Sequence, residues 1–322
     1  MFDLQDEFPN QPVGPNILYL VSSALPYFPV RMAKLAKESG ARLVINQNGV
    51  AYPGWFGKGW RKQNRPMKEL LEMADHVLYQ SHFCKVSADK FLGTRHSEYD
   101  ILYNPVNTEH FRPADLSNLP KDRITLLLAG SHWSLYRPKA ALQVLQRVRQ
   151  FNDQVYLKIA GRFCWEKDSA RAAKQVQDLA VSLGVEDRVC FSGAYSQKRA
   201  LELLQECSIL LHTKYNDPCP RLVIEAMACG LPIVYSATGG VPELVGKEAG
   251  IGVSGPLDWE QDHPPDPDAM AEAVLQIITS HIKYSTAARK RAVERFDVKP
   301  WVKRHKEIFE YLISSEYQVS KK

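Results

Sequence analysis

Short apolar runs alternate with amphipathic stretches along most of the chain, and this spacing predicts strands alternating with helices. Asn16–Ser22 is an apolar run ending in the turn-like Ser-Ser-Ala-Leu-Pro, and a helix over Val30–Ser39 stops at Gly40. Strand Ala41–Asn46 follows, then Gly49–Arg65, which is crowded with Gly, aromatic and basic residues and reads as loop. Helix Met67–Met73, strand His76–Gln80, helix His82–Leu92 and strand Asp100–Tyr103 complete the first half. Short buried strands alternating with helices at this spacing predict a parallel sheet covered on both faces.

Arg112–Lys121 carries two prolines among polar residues and reads as a linker. Beyond it the alternation restarts. Strands are predicted at Ile124–Ala129, Val155–Ala160, Val189–Ser192, Ile209–His212 and Pro232–Tyr235. Helices are predicted at Lys139–Arg149, Ser169–Leu183, Gln197–Glu206 and Arg221–Cys229, with a last helical region over Asp268–Ser314 broken near Pro300. The fold class is therefore α/β, with two doubly wound domains, and loops that follow strands are where chemistry is expected. A length of 322 residues fits two domains.

Composition changes this picture little. Hydrophobic content of 45% with 24% charged residues is that of a folded globular chain. A net charge of +5, without a basic block, argues against nucleic acid as a partner. The six cysteines show neither CxxC spacing nor a disulfide framework, which suits a reducing compartment. Met1–Pro15 lacks the basic and apolar segments of a secretory leader, and no apolar run reaches the roughly 18 residues a membrane span needs. A cytoplasmic protein is expected.

The chemistry concentrates in the stretch Asn216-Asp217-Pro218-Cys219-Pro220-Arg221-Leu222-Val223-Ile224-Glu225-Ala226-Met227-Ala228-Cys229-Gly230-Leu231-Pro232. Pro218 and Pro220 block a helix upstream, and Gly230 with Pro232 stops it downstream. A short helix results, whose positive end lies beside the Cys219–Leu222 backbone and suits phosphate or sugar oxygens. Asp217 precedes that helix and Glu225 lies one turn inside it, so the two carboxylates can converge on one site and accept hydrogen bonds from sugar hydroxyls. Residue by residue a plainer account also stands: Glu225 as a helix-dipole partner and Asp217-Pro218 as a turn.

The whole string is similar to the donor-binding signature of the family 4 glycosyltransferases, which are retaining, metal-independent and of GT-B fold. That signature is an acid, seven residues, then Glu-Ala-Met-Ala-x-Gly-x-Pro, with a Gly-Gly-x-x-Glu element that here is Gly239-Gly240-Val241-Pro242-Glu243. The resemblance covers most of the chain and is strongest from Ile124 to Val253. It extends to Ala74-Asp75-His76-Val77 with Ser81, to Asn104-Pro105-Val106 and to Arg289–Phe296.

The resemblance implies a hexosyl transfer from a nucleotide-diphosphate sugar, serving as co-substrate, to a glycan or lipid-linked acceptor, with no metal and no other cofactor. It implies an acceptor-side domain over 1–115, reduced in length, a donor domain over 116–298, and a helix over 299–322 returning to the first domain across an interdomain cleft. Glu225 then binds the donor ribose, Asp217 contacts the transferred sugar, and the backbone from Cys219 through Pro220 and Arg221 to Leu222 forms the sugar and phosphate seat. Gly239 and Gly240 allow close approach to the ligand, and Val189–Tyr195 lines the base. The family's Arg and Lys after the first strand of the donor domain stabilise the leaving group; Ser131 stands at the Arg position, Arg137 and Lys139 lie near the Lys position, and Arg162 is a further cation.

Where relatives often place a His, this chain has Gln47 and Asn48, which suit either acceptor binding or the loop's own backbone. The loop Tyr52–Lys62 suits a sugar platform, contact with anionic lipid at the inner membrane face, or a cap on the core. Rival functions are a nucleotide-sugar epimerase of the same architecture and a non-catalytic binding or scaffold homologue. That no strand is followed by G-x-G-x-x-G argues against a dinucleotide oxidoreductase.

Overall fold

The computed structural model describes residues 2–95, 97–114 and 123–314. After a short helix α1 (Phe2–Glu7), strands β1 (Ile17–Val21), β2 (Arg42–Gln47), β3 (His76–Tyr79) and β4 (Tyr99–Ile101) pair in parallel, in the order β1-β2-β3-β4. They are joined by α2 (Pro29–Glu38), α3 (Pro53–Phe56), α4 (Trp60–Met73) and α5 (His82–Phe91). Because the order never reverses, right-handed crossovers put the connecting helices on one face. Ala33 of α2, Leu70 and Leu71 of α4 and Ala88 of α5 accordingly share a core with Leu43, Ile45, Val77 and Tyr79. The stretch expected to be loop over Gly49–Arg65 instead holds α3 and the first turns of α4. Pro66 lies inside α4, and Asn64 ties the helix down by bonding both the amide and the carbonyl of Ala51, at 2.9 and 2.8 Å.

The second sheet contains β5 (Ile124–Leu128), β6 (Val155–Ala160), β7 (Val189–Gly193), β8 (Ile209–His212), β9 (Ile233–Ser236) and β10 (Gly250–Val253), in the parallel order β10-β9-β8-β5-β6-β7. Its helices are α6 (Tyr136–Arg149), α7 (Ser169–Ser182), α8 (Gln197–Gln205), α9 (Arg221–Ala228), α10 (Val241–Val245), α11 (Pro267–Thr279) and α12 (His281–Phe296). The direction of winding reverses between β5 and β8, as in a Rossmann-like sheet. Leu126, Leu128, Leu145, Ile159, Val234 and Val274 are among the residues of its buried core. Helix α6 starts at Tyr136, ahead of the expected Lys139, since Pro138 falls in its first turn, where proline costs no hydrogen bond. Neither α10 nor β10 was predicted; their glycine-rich surroundings carry no periodic signal.

The chain divides into two compact units: Met1–Pro105 with Asp258–Asp262 and Phe296–Lys322, and Val106–Leu257 with His263–Arg295. The division falls at Pro105, before the proline-rich Arg112–Lys121 read as a linker, of which residues 115–122 lie outside the described residues. The physical reason is Arg289, whose guanidinium bonds the carbonyls of Thr108, Phe111 and Ala228 and so holds residues 108–111 in the second unit. Trp259, far along the sequence, joins the first unit by stacking on Phe83 and meeting Tyr52 edge-on.

The last helix, α13 (Val298–Ile313), begins at Asp297, whose carboxylate accepts from the Lys299 amide; the helical region therefore breaks at Asp297, and Pro300 sits harmlessly in the first turn. Ile308, Phe309 and Leu312 of α13 cover Val44 and Leu78, on the sheet face left bare by the one-directional winding. A polar chain joins the helix to the strand ends. His305 Nδ1 donates to the Trp301 carbonyl at 2.9 Å, leaving Nε2 to accept from the Tyr19 hydroxyl at 3.1 Å. Tyr19 accepts from Asn46 at 2.7 Å, Asn46 from Gln80 at 2.6 Å, and Gln80 from Asn104 at 3.0 Å. Burial pushes the His305 imidazole down to about 4, so it is neutral, as this pattern requires.

Candidate functional site

The reversal between β5 and β8 sets two strand-end loops of the second unit side by side, the place where parallel α/β sheets bind ligands. The loop after β8 is sewn down at several points. Thr213 Oγ1 donates to the Arg137 carbonyl at 3.2 Å, and the Tyr215 amide donates to the Tyr136 hydroxyl at 3.0 Å. Asn216 adopts a left-handed φ of 47°, with its amide on Thr238 Oγ1 at 2.9 Å. Gly239, at φ 69°, packs against the Asn216–Asp217 backbone so closely that an added Cβ would lie 2.5 Å from the Asp217 carbonyl oxygen. The Gly240 amide donates to that same oxygen at 2.9 Å. The close approach expected at Gly239 and Gly240 is thus made by the chain's own backbone, and it holds Asp217 in place.

Asp217 is buried, with His212 Nε2 donating to one carboxylate oxygen at 3.1 Å and Lys214 Nζ to the other at 3.0 Å. Burial alone would raise its pKa, but the Lys214 charge and the His212 hydrogen bond together hold the carboxyl well below the usual range. Burial keeps His212 neutral, consistent with the proton on Nε2. Arg137 is also buried. Its Nη1 donates to the Ser131 carbonyl at 2.8 Å, while Nε meets no hydrogen-bond acceptor. Burial lowers its pKa, against the attraction of the Asp217 charge. At Ser131, where a cation is expected, the guanidinium of Arg137 therefore arrives from six residues further on, in the first turn of α6. Lys139 and Arg162 are exposed, and neither is drawn into this group.

Glu225 lies on α9, which starts after Pro220 without a side-chain cap and so presents its first-turn amides. Its side chain is mostly buried, 3.8 Å from Arg221, and burial raises its pKa. Tyr195, after β7, is raised first by burial and next by the Glu225 charge, and it also feels Arg137. Asp217, Arg137, Tyr195 and Glu225 therefore share one electrostatic neighbourhood around the switch point. Sequence reasoning missed Lys214 and His110, the latter of which acts electrostatically on Glu225; His212, which the sequence offers as a structural residue at a strand end, is the donor to Asp217. Cys219 is buried on the approach to α9, and Leu222 is half-buried in its first turn.

Gln47 and Asn48 do something else. Gln47 is buried and its Nε2 donates to the Asn48 carbonyl at 2.8 Å, while Asn48 Oδ1 accepts from the Gly49 amide at 2.8 Å. Both amides serve their own loop, the local use that short polar side chains favour. Among the described residues no grouping of three or more His, Cys, Asp or Glu could hold a metal ion, and no helix is long and apolar enough to cross a membrane.

Comparison with known proteins agrees with this geometry. The D-inositol 3-phosphate glycosyltransferase of Streptomyces bingchenggensis is 28% identical over 174 residues, which is 50% of this chain and 38% of that protein, so the match spans well under half of the relative. Sucrose-phosphate synthase from Thermosynechococcus elongatus superposes with a TM-score of 0.75 at 19% identity, covering 97% of this chain and 77% of that one. Anabaena HepE, solved in complex with UDP, gives 0.72 at 20% identity, covering 92% and 79%. The two parallel α/β units are those of the GT-B fold. The family profile described as glycosyl transferases group 1 matches residues 115–295, more than half of the chain, and includes every strand of the second sheet. This chain belongs to the group 1 glycosyl transferases.

Proposed function

We propose that the chain moves a hexosyl group from a nucleoside-diphosphate sugar to a glycan or lipid-linked acceptor with retention, seating the donor at the β5/β8 switch point. The observation that carries this reading is the gathering of Asp217, Arg137, Tyr195 and Glu225 there from three separate stretches of sequence. Glu225 accepts the ribose hydroxyls. The first-turn amides of α9 and the Arg137 guanidinium take the diphosphate, and Arg137 offsets the charge that grows as it departs. Asp217 contacts a hydroxyl of the transferred sugar: each carboxylate oxygen has a second lone pair beyond its bond to His212 or Lys214. An acid tethered on both oxygens is a binder, not a nucleophile, which suits retention without a covalent enzyme intermediate. The reading calls for no metal, since fixed cations supply the positive charge.

The test is calorimetric titration with UDP, GDP and ADP in the presence of EDTA. UDP comes first because a structural neighbour was solved with it. One nucleotide should bind, and Glu225→Ala should weaken it by roughly 10- to 100-fold, the worth of hydrogen bonds to a charged group. Wild-type protein that binds none of the three would sink the donor-site reading. Donor turnover only when an acceptor is supplied separates the transferase from a non-catalytic binder, and epimerised sugar without acceptor would favour the epimerase.

A further inference from the structure

Arg221 stands where elementary electrostatics disfavours a cation. It is the first residue of α9, at the positive end of the helix dipole. Its acidic neighbour Glu225 follows it by four residues, the less favourable order for such a pair on a helix. The contact between them is loose: Arg221 Nε lies 3.8 Å from Glu225 Oε1, beyond hydrogen-bond length, and burial raises the Glu225 pKa by more than the Arg221 charge lowers it. The Arg221 side chain is 44% exposed and donates no hydrogen bond among the described residues, so the N–H groups of its guanidinium are all uncommitted. By contrast Arg137 and Arg289 spend theirs on backbone carbonyls, and the charge of Lys214 is taken by Asp217.

The backbone beside Arg221 is short of donors. Pro218 and Pro220 bring no amide hydrogen to the approach to α9, and no side chain caps the helix. The Val223 amide turns back onto the Pro220 carbonyl at 3.2 Å, which leaves the amides of Arg221 and Leu222 to meet an anion. A diphosphate presents more oxygens than two amides can satisfy. A guanidinium supplies what is missing, since its planar fork takes two phosphate oxygens at once and sheds water more readily than an ammonium. Arg221 also shares a helix face with Glu225, whose side chain is 13% exposed and accepts no hydrogen bond among the described residues. A carboxylate suited to hydroxyls and a fork suited to phosphate thus stand one helical turn apart, in the order in which ribose and diphosphate follow each other in a nucleotide.

We propose that the Arg221 side chain leaves Glu225 and closes on the outer phosphate of the donor, so that Arg221 is the residue by which this site selects a nucleoside diphosphate over a monophosphate. This role rests on the donor-site reading and adds a side chain to a seat otherwise made of backbone and Arg137. Calorimetric titration of the wild type, Arg221→Gln and Arg221→Lys is made with UDP, UMP and uridine, or with the guanosine or adenosine series if the wild type binds that base; the weaker ligands are read by displacement of the diphosphate. Arg221→Gln should weaken the diphosphate at least about tenfold, the worth of a charge-assisted hydrogen bond. The monophosphate and the nucleoside should change by less than about threefold, because attraction beyond direct contact is screened. Arg221→Lys, which keeps the charge and loses the fork, should recover part of the loss. Arg221→Gln removes a cation from the positive end of α9 and should melt no lower than wild type, which separates lost binding from lost folding. An equal fall for diphosphate, monophosphate and nucleoside would show Arg221 acting only through Glu225 on the ribose, and would overturn the proposal while the donor site stands. Unchanged diphosphate affinity would do the same. A wild type that binds none of the nucleotides would overturn the donor-site reading, and this role with it.

Discussion

Asp217 shows how much of a single residue's behaviour is decided by what touches it. Its two oxygens are bonded to His212 and Lys214, and its backbone is clamped by Gly239 and Gly240. The carboxyl is held down mainly by the Lys214 charge working against burial. Removing that cation by Lys214→Met leaves burial less opposed, so the pKa of Asp217 rises. The acid limb of the transfer rate should then move to higher pH, by about one unit for each 1.4 kcal/mol of lost attraction. A pH–rate profile of the variant checks this, and an unmoved acid limb would show that Lys214 does not govern the carboxylate. Asp217 and Glu225 were legible beforehand because proline and glycine punctuate their stretch and because it carries a family signature. Lys214 was not, since nothing local marks a lysine as the one that a folded-back loop aims at a carboxylate.

Among the elements, α13 has the clearest individual task. Its Ile308, Phe309 and Leu312 are the cover of a sheet face that β1 to β4, wound in one direction, leave without helices of their own. Ending the chain after Asp297 would expose Val44 and Leu78 and cut the polar chain at Tyr19. At about 25 cal/mol per Å² of apolar surface, uncovering several large side chains costs several kcal/mol. The expected result is a protein whose first unit melts separately and binds a hydrophobic dye while the second unit, with its own core, keeps a cooperative transition. A single transition unchanged from the full chain would contradict this. The helix itself was readable from its periodicity; the face it covers was not, because periodicity reports that a stripe is apolar without naming its partner. Crowded Gly, aromatic and basic residues hid the start of α4, and the break expected near Pro300 falls at Asp297.

Across the whole molecule, three buried histidines link stability to pH. Burial holds His132 down to about 3 and His305 to about 4, and lowers His212 in the same sense. An unfolded histidine titrates near 6.5. Below that pH the unfolded chain takes up protons that the folded chain refuses, so stability is full above about 6.5 and falls as the pH drops toward the folded values. Between pH 7 and pH 5 the loss is about 2 kcal/mol for each of His132 and His305. Urea unfolding at the two pH values should show the fall, and His305→Phe should show a smaller difference between them than wild type. Equal wild-type stability at pH 7 and pH 5 would refute the linkage.

What the chain's own residue order determined is the local part: strand and helix identity wherever apolar periodicity is strong, the short helix bounded by Pro220 and Gly230, and the signature that pairs Asp217 with Glu225. These follow from nearest-neighbour physics, in which side-chain period, proline and glycine act within a turn or two. Tertiary structure alone decided the rest. It brought Arg137 to Ser131, set His212 and Lys214 on Asp217, turned Gln47 and Asn48 onto their own loop, carried Trp259 into the first unit and laid α13 across the first sheet. Trp259 and α13 meet partners that are far away in sequence, and the other contacts, though made between near neighbours, lie in strand-end loops that follow no helical or strand period, so no local pattern encodes them.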